Sequence, residues 1–257
     1  MRYLICAIFI FSTGGTGAVA AEELAAHRAR YDLSLERGRG DVIAASGSMD
    51  FDVTDACDAW AVRQRLHMVL TGRDGTETEM LSDYTTIETK DGRTLRFRLR
   101  QSNAGDQPSE VAGNATIGVE DGDAHYTAPE VVTKKLPAGT LLPMAHTLAI
   151  ITAAKAGKKF VAVPVFDGTG ADGAQDSTIA IVNWGAPRSG PWPVLTTLSS
   201  GRMRIAFFDR ASTAQQSEYE VSMRYYENGV ADEMSMDFGE FVMAAKLKDL
   251  VISKPGC

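Results

Sequence analysis

Apolar and polar side chains alternate residue by residue through much of this chain, and this pattern constrains its fold more than any other feature. In a β-strand, successive side chains point to opposite faces, so such alternation predicts strands with one buried face and one wet face. The clearest runs lie at residues 28–36, 49–53, 95–100, 218–225 and 241–248. The chain is therefore predicted to be mainly β.

Tight-turn dipeptides separate several of these runs, at Asp74-Gly75, Asp91-Gly92, Asp121-Gly122 and Asn228-Gly229. Asp-Gly and Asn-Gly pairs reach positive φ easily and favour tight hairpin turns, which connect antiparallel neighbours. We expect about a dozen strands in an antiparallel meander. No internal repeat or linker interrupts them, so residues 21–257 are predicted to form a single domain.

One segment departs from the alternation. Residues from Leu142 to Ala156 contain no glycine, include a proline near the start and are followed by Gly157, which is typical of a helix. The helix is apolar nearly all round and therefore requires burial. A long sheet with one wet face can bury it by curling around it, so we predict an open barrel or β-spiral around one buried α-helix.

The N-terminus has the order of a cleavable signal peptide. Arg2 precedes an apolar run, and small residues ending in Ala18-Val19-Ala20 follow it. The apolar run is too short to cross a bilayer, and we find no other candidate span. We therefore expect residues 1–20 to be removed and the protein to act in the periplasm.

Export would leave two cysteines, Cys57 and Cys257. An oxidising compartment lets two such thiols pair, which makes an internal disulfide the favoured prediction. A free C-terminal thiol and an intermolecular bridge remain the alternatives.

Several classes of function find no support in the sequence. The net charge of −7 and the lack of a basic run argue against nucleic acid. The four histidines show no zinc-site spacing, no G-x-S-x-G elbow is present, and we predict no metal, cofactor or catalytic residue. Gly168, Gly170 and Gly173 spell G-x-G-x-x-G, but a β-branched segment follows them instead of a helix, so we interpret them as a loop.

Two residues, His146 and Trp192, are candidates for contacts with a ligand or a partner, and a row of arginines is a further feature to interpret. His146 lies at the start of the predicted helix, where a structural role or a binding role is open. Trp192 lies between two prolines, at a barrel rim or in the core. The row Arg96, Arg98 and Arg100 could receive an anion, but pairing with acidic residues of a neighbouring strand is the favoured interpretation.

The chain resembles the EipB-type family of periplasmic cell-envelope integrity proteins. The matching segments follow one another in the expected order, with Pro143, His146 and Thr147 inside the helical one. They are residues 27–35, 45–49, 141–157, 166–168, 192–194 and 226–230, and Cys257. Tyr226, in the last of these ranges, is a third candidate contact.

The resemblance implies a many-stranded half-barrel around a helix, similar to the LolA and LolB lipoprotein carriers, and a disulfide between Cys57 and Cys257. It implies a role in envelope maintenance in a Gram-negative cell. Two hypotheses follow: the half-barrel binds a lipid, an acyl chain or an apolar peptide, or the protein is a scaffold that contacts another envelope protein. An interior cavity smaller than about 300 Å³ would weigh against a small ligand.

Overall fold

The alternating segments form long antiparallel strands in a computed structural model, which describes residues 24–104, 106–212 and 216–254. The first eight strands follow one another as a meander, each paired with the next. They are β1 (His27–Gly38), β2 (Val42–Asp55), β3 (Ala59–Gly72), β4 (Glu77–Thr89), β5 (Thr94–Asn103), β6 (Ser109–Ile117), β7 (Gly122–Ala128) and β8 (Val132–Leu136).

The second half of the chain begins with the helix and then adds six more strands to the same sheet. The elements are α1 (Pro143–Lys155), β9 (Phe160–Val165), β10 (Gln175–Ile181), a short 3-10 helix (Pro193–Leu195), β11 (Ser200–Asp209), β12 (Tyr219–Tyr226), β13 (Ala231–Asp237) and β14 (Phe241–Ile252). The last strand, β14, returns to pair with β1, so the two halves join in the middle of one sheet.

The sheet is open. Its fourteen described strands run from β8 at one edge to β9 at the other, and those two strands do not pair with each other. A short backbone contact lies between the two edges: the N–H of Leu141 donates to the carbonyl of Pro164 at 2.9 Å, and the N–H of Phe166 donates to the carbonyl of Leu141 at 2.9 Å. The predicted mainly β, open-barrel fold around one helix is confirmed.

Helix α1 occupies the concave side and connects the parts of the core. Ile150, Ala153 and Ala154 pack in a cluster formed by β1–β3 and β10–β14, whereas Met144 and Ile151 pack with residues at the end of β2 and the start of β3. The residue before the helix, Leu142, belongs to the third cluster, under β5–β7. A helix with so few polar residues is stabilised by this burial, at about 25 cal/mol per Å² of apolar surface.

The alternation of the strands is realised as predicted. In β1, the residues Ala29, Tyr31 and Leu33 are buried and the intervening residues are exposed. On the wet face of β5, Arg98 and Arg100 each lie 2.9 Å from the same carboxylate oxygen of Glu110 on β6. This ion pairing agrees with the favoured interpretation of the arginine row.

The Gly168 loop connects β9 to β10 and turns into the core. The hydroxyl of Tyr126 donates to the carbonyl of Gly170 at 3.1 Å, and the N–H of Gly173 donates to the Tyr126 hydroxyl at 3.1 Å. A strand follows the glycines, so the loop lacks the helix N-terminus of a dinucleotide site. Its role is to cover the core cluster beneath β5–β7.

The predicted signal peptide and Cys257 lie outside the described residues, so neither is tested. The described geometry does bear on the disulfide. His27 pairs with Val53 of β2 on one side and with Ile252 of β14 on the other. Strands β2 and β14 therefore run in the same direction and finish at the same end of the sheet, level with the start of β1. Cys57 follows Val53 by four residues, and Cys257 follows Ile252 by five.

We expect the mature protein, denatured without reductant, to show no thiol that reacts with Ellman's reagent. After reduction it should show two, because β2 and β14, the strands that precede Cys57 and Cys257, finish at the same end of the sheet. Mass spectrometry without reduction should find the chain two hydrogens lighter than its reduced form. Two reactive thiols before reduction would contradict the internal disulfide, and a dimer that disappears on reduction would show an intermolecular bridge.

Candidate ligand-binding site

An apolar cavity of about 200 Å³ lies between α1 and the concave face of the sheet. Five methionines line it: Met49, Met144, Met223, Met234 and Met236. Phe51, Tyr219 and Tyr225 complete much of the remaining wall. The inward positions of β1, β2, β12 and β13 supply most of these side chains, so the cavity is a direct product of the alternating pattern.

The polar groups near this cavity are neutral or already hydrogen-bonded. The Tyr31 hydroxyl donates to the carbonyl of Ala231 at 2.8 Å, and Nδ1 of His27 lies 2.7 Å from the carbonyl of Ala25. Burial raises the pKa of the Tyr31, Tyr219 and Tyr225 hydroxyls and lowers the pKa of His27. The cavity therefore favours an uncharged, apolar occupant.

A larger open groove of about 970 Å³ runs along the other side of α1. Its apolar wall includes Trp60, Leu148 and Ala149, and its polar residues include Lys90 and Lys158. The Lys90 ammonium lies 2.7 Å from Asp55 and 4.6 Å from the centre of the Trp60 ring. The groove thus combines an apolar floor with charged side chains of both signs, since Glu88 and Asp91 also line it.

Two side chains, Leu24 and Met144, line both the cavity and the groove. Both are buried, and Leu24 is held in place by the turn between β12 and β13. The N–H of Ala25 donates to the carbonyl of Asn228 at 2.8 Å, and a Cβ at Gly229 would lie 2.8 Å from Leu24 Cδ2. These two side chains form the partition between the two spaces.

The first turn of α1 is capped by a residue far away in sequence. Glu88 on β4 accepts hydrogen bonds from the N–H groups of Met144 at 2.7 Å and Ala145 at 2.8 Å, while the helix has no side-chain cap of its own. The carboxylate is 1% exposed, and burial raises its pKa to about 7 although both hydrogen bonds oppose that shift. Glu88 therefore positions the helix end that carries Met144.

His146 lies on a different side of α1 and lines neither the cavity nor the groove. Its Nε2 is 2.9 Å from the hydroxyl oxygen of Ser177, and that hydroxyl also donates to the carbonyl of Val163 at 2.8 Å. Burial lowers the pKa of His146 to about 4. The neutral ring links the helix to β9 and β10, which is a structural arrangement.

Trp192 and Tyr226 come together in a third pocket, of about 420 Å³. Tyr225 lines the interior cavity, and Tyr226, the next residue along β12, points to the opposite face of the sheet. The three candidate contacts thus occupy two separate places. Among the residues that the structure describes, no group of three or more metal-ligating side chains is present.

Two residues that shape this site, Glu88 and Leu24, were not identified from the sequence. Glu88 occupies an inward position of its strand, two residues after the buried Thr86, and a lone acidic residue in an apolar pattern is a usable signal for a buried cap. Leu24 precedes the first alternating run, and nothing in the local sequence indicates that it is buried.

The fold and the apolar interior define an open, β-barrel-like protein with a helix in its concavity. A crystal structure described as a β-barrel-like protein of domain of unknown function DUF1849 from Brucella abortus superposes with a TM-score of 0.82 at 26% identity, covering 90% of this chain and 99% of that one. Within residues 24–104, 106–212 and 216–254, no helix is long and apolar enough to cross a membrane.

The family model described as EipB-like matches residues 18–254, and the chain belongs to this family. It is also similar to the cell envelope integrity protein EipB of Brucella abortus (strain 2308). The two share 28% identity over 259 residues, which cover 95% of this chain and 91% of that protein. The resemblance inferred from the sequence is confirmed.

Proposed function

We propose that this protein supports cell-envelope integrity from the periplasm by holding an apolar chain, such as the acyl chain of a lipid, inside its half-barrel. The role in the envelope follows from membership of the EipB-like family and from the name of its relative. The expected signal peptide supports the compartment. Neither source supplies a catalytic residue, so the proposed role is binding.

The methionine-lined cavity is the observation that carries this proposal. Methionine side chains are unbranched and polarizable, so a wall of five adapts to an apolar occupant with little strain. Each methylene group removed from water contributes about 0.8 kcal/mol. At about 200 Å³ the cavity is smaller than most ligand pockets, so it would take only part of an acyl chain.

The groove beyond Leu24 and Met144 provides room for the rest of such a molecule. Displacing these two side chains would join the cavity to the groove, where Lys90 and Lys158 lie on the path of a polar headgroup. The buried end would then be apolar and the exposed end polar, as a lipid requires.

A scaffold that contacts another envelope protein is the second candidate. It is favoured by the size of the interior cavity, about 200 Å³, which is below the roughly 300 Å³ at which ligand pockets begin. In this case the role of α1, which packs against the concave face of the sheet, is to stabilise a curved outer surface.

We expect the mature wild-type protein, purified from its own periplasm, to carry a lipid-derived mass in native mass spectrometry. It should also bind cis-parinaric acid, a fluorescent fatty acid, in solution. The variant Ala231→Phe places a ring in the cavity and should abolish both signals, because Ala231 lines the cavity wall. Circular dichroism establishes whether the variant is folded.

Ala180→Phe is the matched control, since Ala180 is exposed on the outer face of β10. It should carry the lipid and bind the probe as the wild type does. An empty wild-type protein that also fails to bind the fatty acid would exclude the lipid and favour the scaffold. If a peptide copurifies at a one-to-one ratio instead, the occupant of the cavity is an apolar peptide and not a lipid.

A further inference from the structure

The pocket that contains Trp192 and Tyr226 lies where the regular sheet is interrupted. β13 pairs with β14 only from Met234 to Asp237, and the register between β12 and β13 shifts beside Arg224. At this point Glu233 adopts φ of 51°, a left-handed backbone conformation that is costly for a residue with a side chain. The strands separate here and leave a pocket of about 420 Å³, within the usual range for small ligands.

A buried guanidinium lies beside this pocket. Arg224 is 4% exposed, and its Nε, although 3.5 Å from a carboxylate oxygen of Glu233, makes no hydrogen bond. The carboxylate of Glu233 is also engaged by Arg202. Arg224 does not itself line the pocket, so its part is to hold the carboxylate of Glu233, which does line it, together with Arg202.

The pocket also presents cationic side chains with no ion-pair partner. Arg188 and Lys246 line it, and neither has a carboxylate within ion-pair distance in the part of the chain that the structure describes. Its carboxylates are Asp232 and Glu233, of which Glu233 already faces two arginines. The four charged side chains of the lining therefore balance, but the two arginines that engage Glu233 lie outside the lining, so Arg188 and Lys246 are left to bind an anion.

We infer that this pocket binds a small carboxylate ligand that carries an apolar ring or side chain. The carboxylate pairs with Arg188 and Lys246, and the apolar part packs against Trp192 and Tyr226. Trp, Tyr and Arg are the residue types that dominate binding energy in recognition sites. The pocket is lined by a different set of side chains from the interior cavity except for Met234, so the two sites can be tested separately.

The probe for this site is N-acetylphenylalanine, with its uncharged amide as the isosteric control. We expect saturable quenching or enhancement of tryptophan fluorescence by the carboxylate, weakened by salt, and at least a tenfold weaker response to the amide. The signal should disappear in Trp192→Phe, because Trp60 and Trp184 do not line this pocket. Equal binding of the acid and the amide would overturn the inference.

The double variant Arg188→Gln/Lys246→Gln removes both unpaired charges from exposed positions, so it should fold as the wild type does. We expect it to bind the carboxylate probe at least tenfold more weakly. Lys248→Gln is the matched control, because Lys248 lies two residues further along β14, near Asp32 and outside the pocket. If the double variant binds as tightly as the control, the inference is wrong.

Discussion

Replacing Gly168 with alanine should lower the free energy of unfolding by about 3 kcal/mol. Gly168 has φ of 73°, which costs a residue with a side chain roughly 1–2 kcal/mol. An added Cβ would also lie 2.4 Å from ring atoms of Phe97. Phe97 cannot easily move away, because its ring packs edge-on against Tyr126 at 5.6 Å and Phe166 at 5.3 Å.

Gly170 is the matched control within the same loop. Its φ is not left-handed, and an added Cβ there would meet nothing within 4 Å. Gly170→Ala should therefore leave the stability unchanged or raise it by up to about 1 kcal/mol through the unfolded state. Urea unfolding followed by circular dichroism measures both variants, and equal effects would show that the loop is not seated on the core as the structure has it.

The second large effect is on the pH dependence of stability. Glu88 has a pKa of about 7 in the folded protein against 4.5 as the ordinary value. Between these values the folded state binds more protons than the unfolded state, so the contribution of Glu88 to stability falls as pH rises. The full change amounts to roughly 3 kcal/mol.

His146 acts in the opposite direction. Its pKa is about 4 in the folded protein against an ordinary value of 6.5. Between these two pKa values the unfolded state binds more protons than the folded state. The contribution of His146 to stability is therefore fully present above the pKa of the unfolded state and is lost as the pH falls towards the pKa of the folded state. The size is again roughly 3 kcal/mol. In the wild type the two contributions largely cancel over the range that they share.

Single substitutions should separate the two contributions. The free energy of unfolding of Glu88→Gln, minus that of the wild type, should increase by roughly 3 kcal/mol as the pH rises from about 4 to about 8. The reason is that the variant has no carboxylate to ionise in the buried site. For His146→Gln, the same difference from the wild type should decrease by roughly 3 kcal/mol as the pH rises over this range. Urea unfolding across this range measures both, and a variant curve that stays parallel to the wild type would contradict its assignment.

The sequence was informative wherever the cause of a structure is local. The alternation in β1 depends on successive side chains pointing to opposite faces, and α1 could be located because the stop at Gly157 and the apolar composition lie within one segment. Gly75, Gly92 and Gly229 adopt positive φ in their turns, as the dipeptides predicted. Gly122 does not and instead begins β7, because the preceding residues form that turn.

The candidate contacts show the limit of such inference. His146 and Trp192 were identified by local context and Tyr226 by the family resemblance, yet only the fold brings Trp192 and Tyr226 into one pocket and places His146 against Ser177. Glu88 caps a helix that begins 55 residues later in the chain. No local pattern encodes a contact of that sequence separation.

By itself, the sequence determined the fold class, one buried helix and membership of a family, because periodicity, turn residues and matching segments are properties of neighbouring residues. Only the tertiary structure decided that the opening of the sheet lies between β8 and β9, that α1 leaves a cavity of about 200 Å³, and that Gly168 rests on Phe97. These features depend on how side chains from distant strands fill a shared volume, and close packing is a property of the whole assembly of elements.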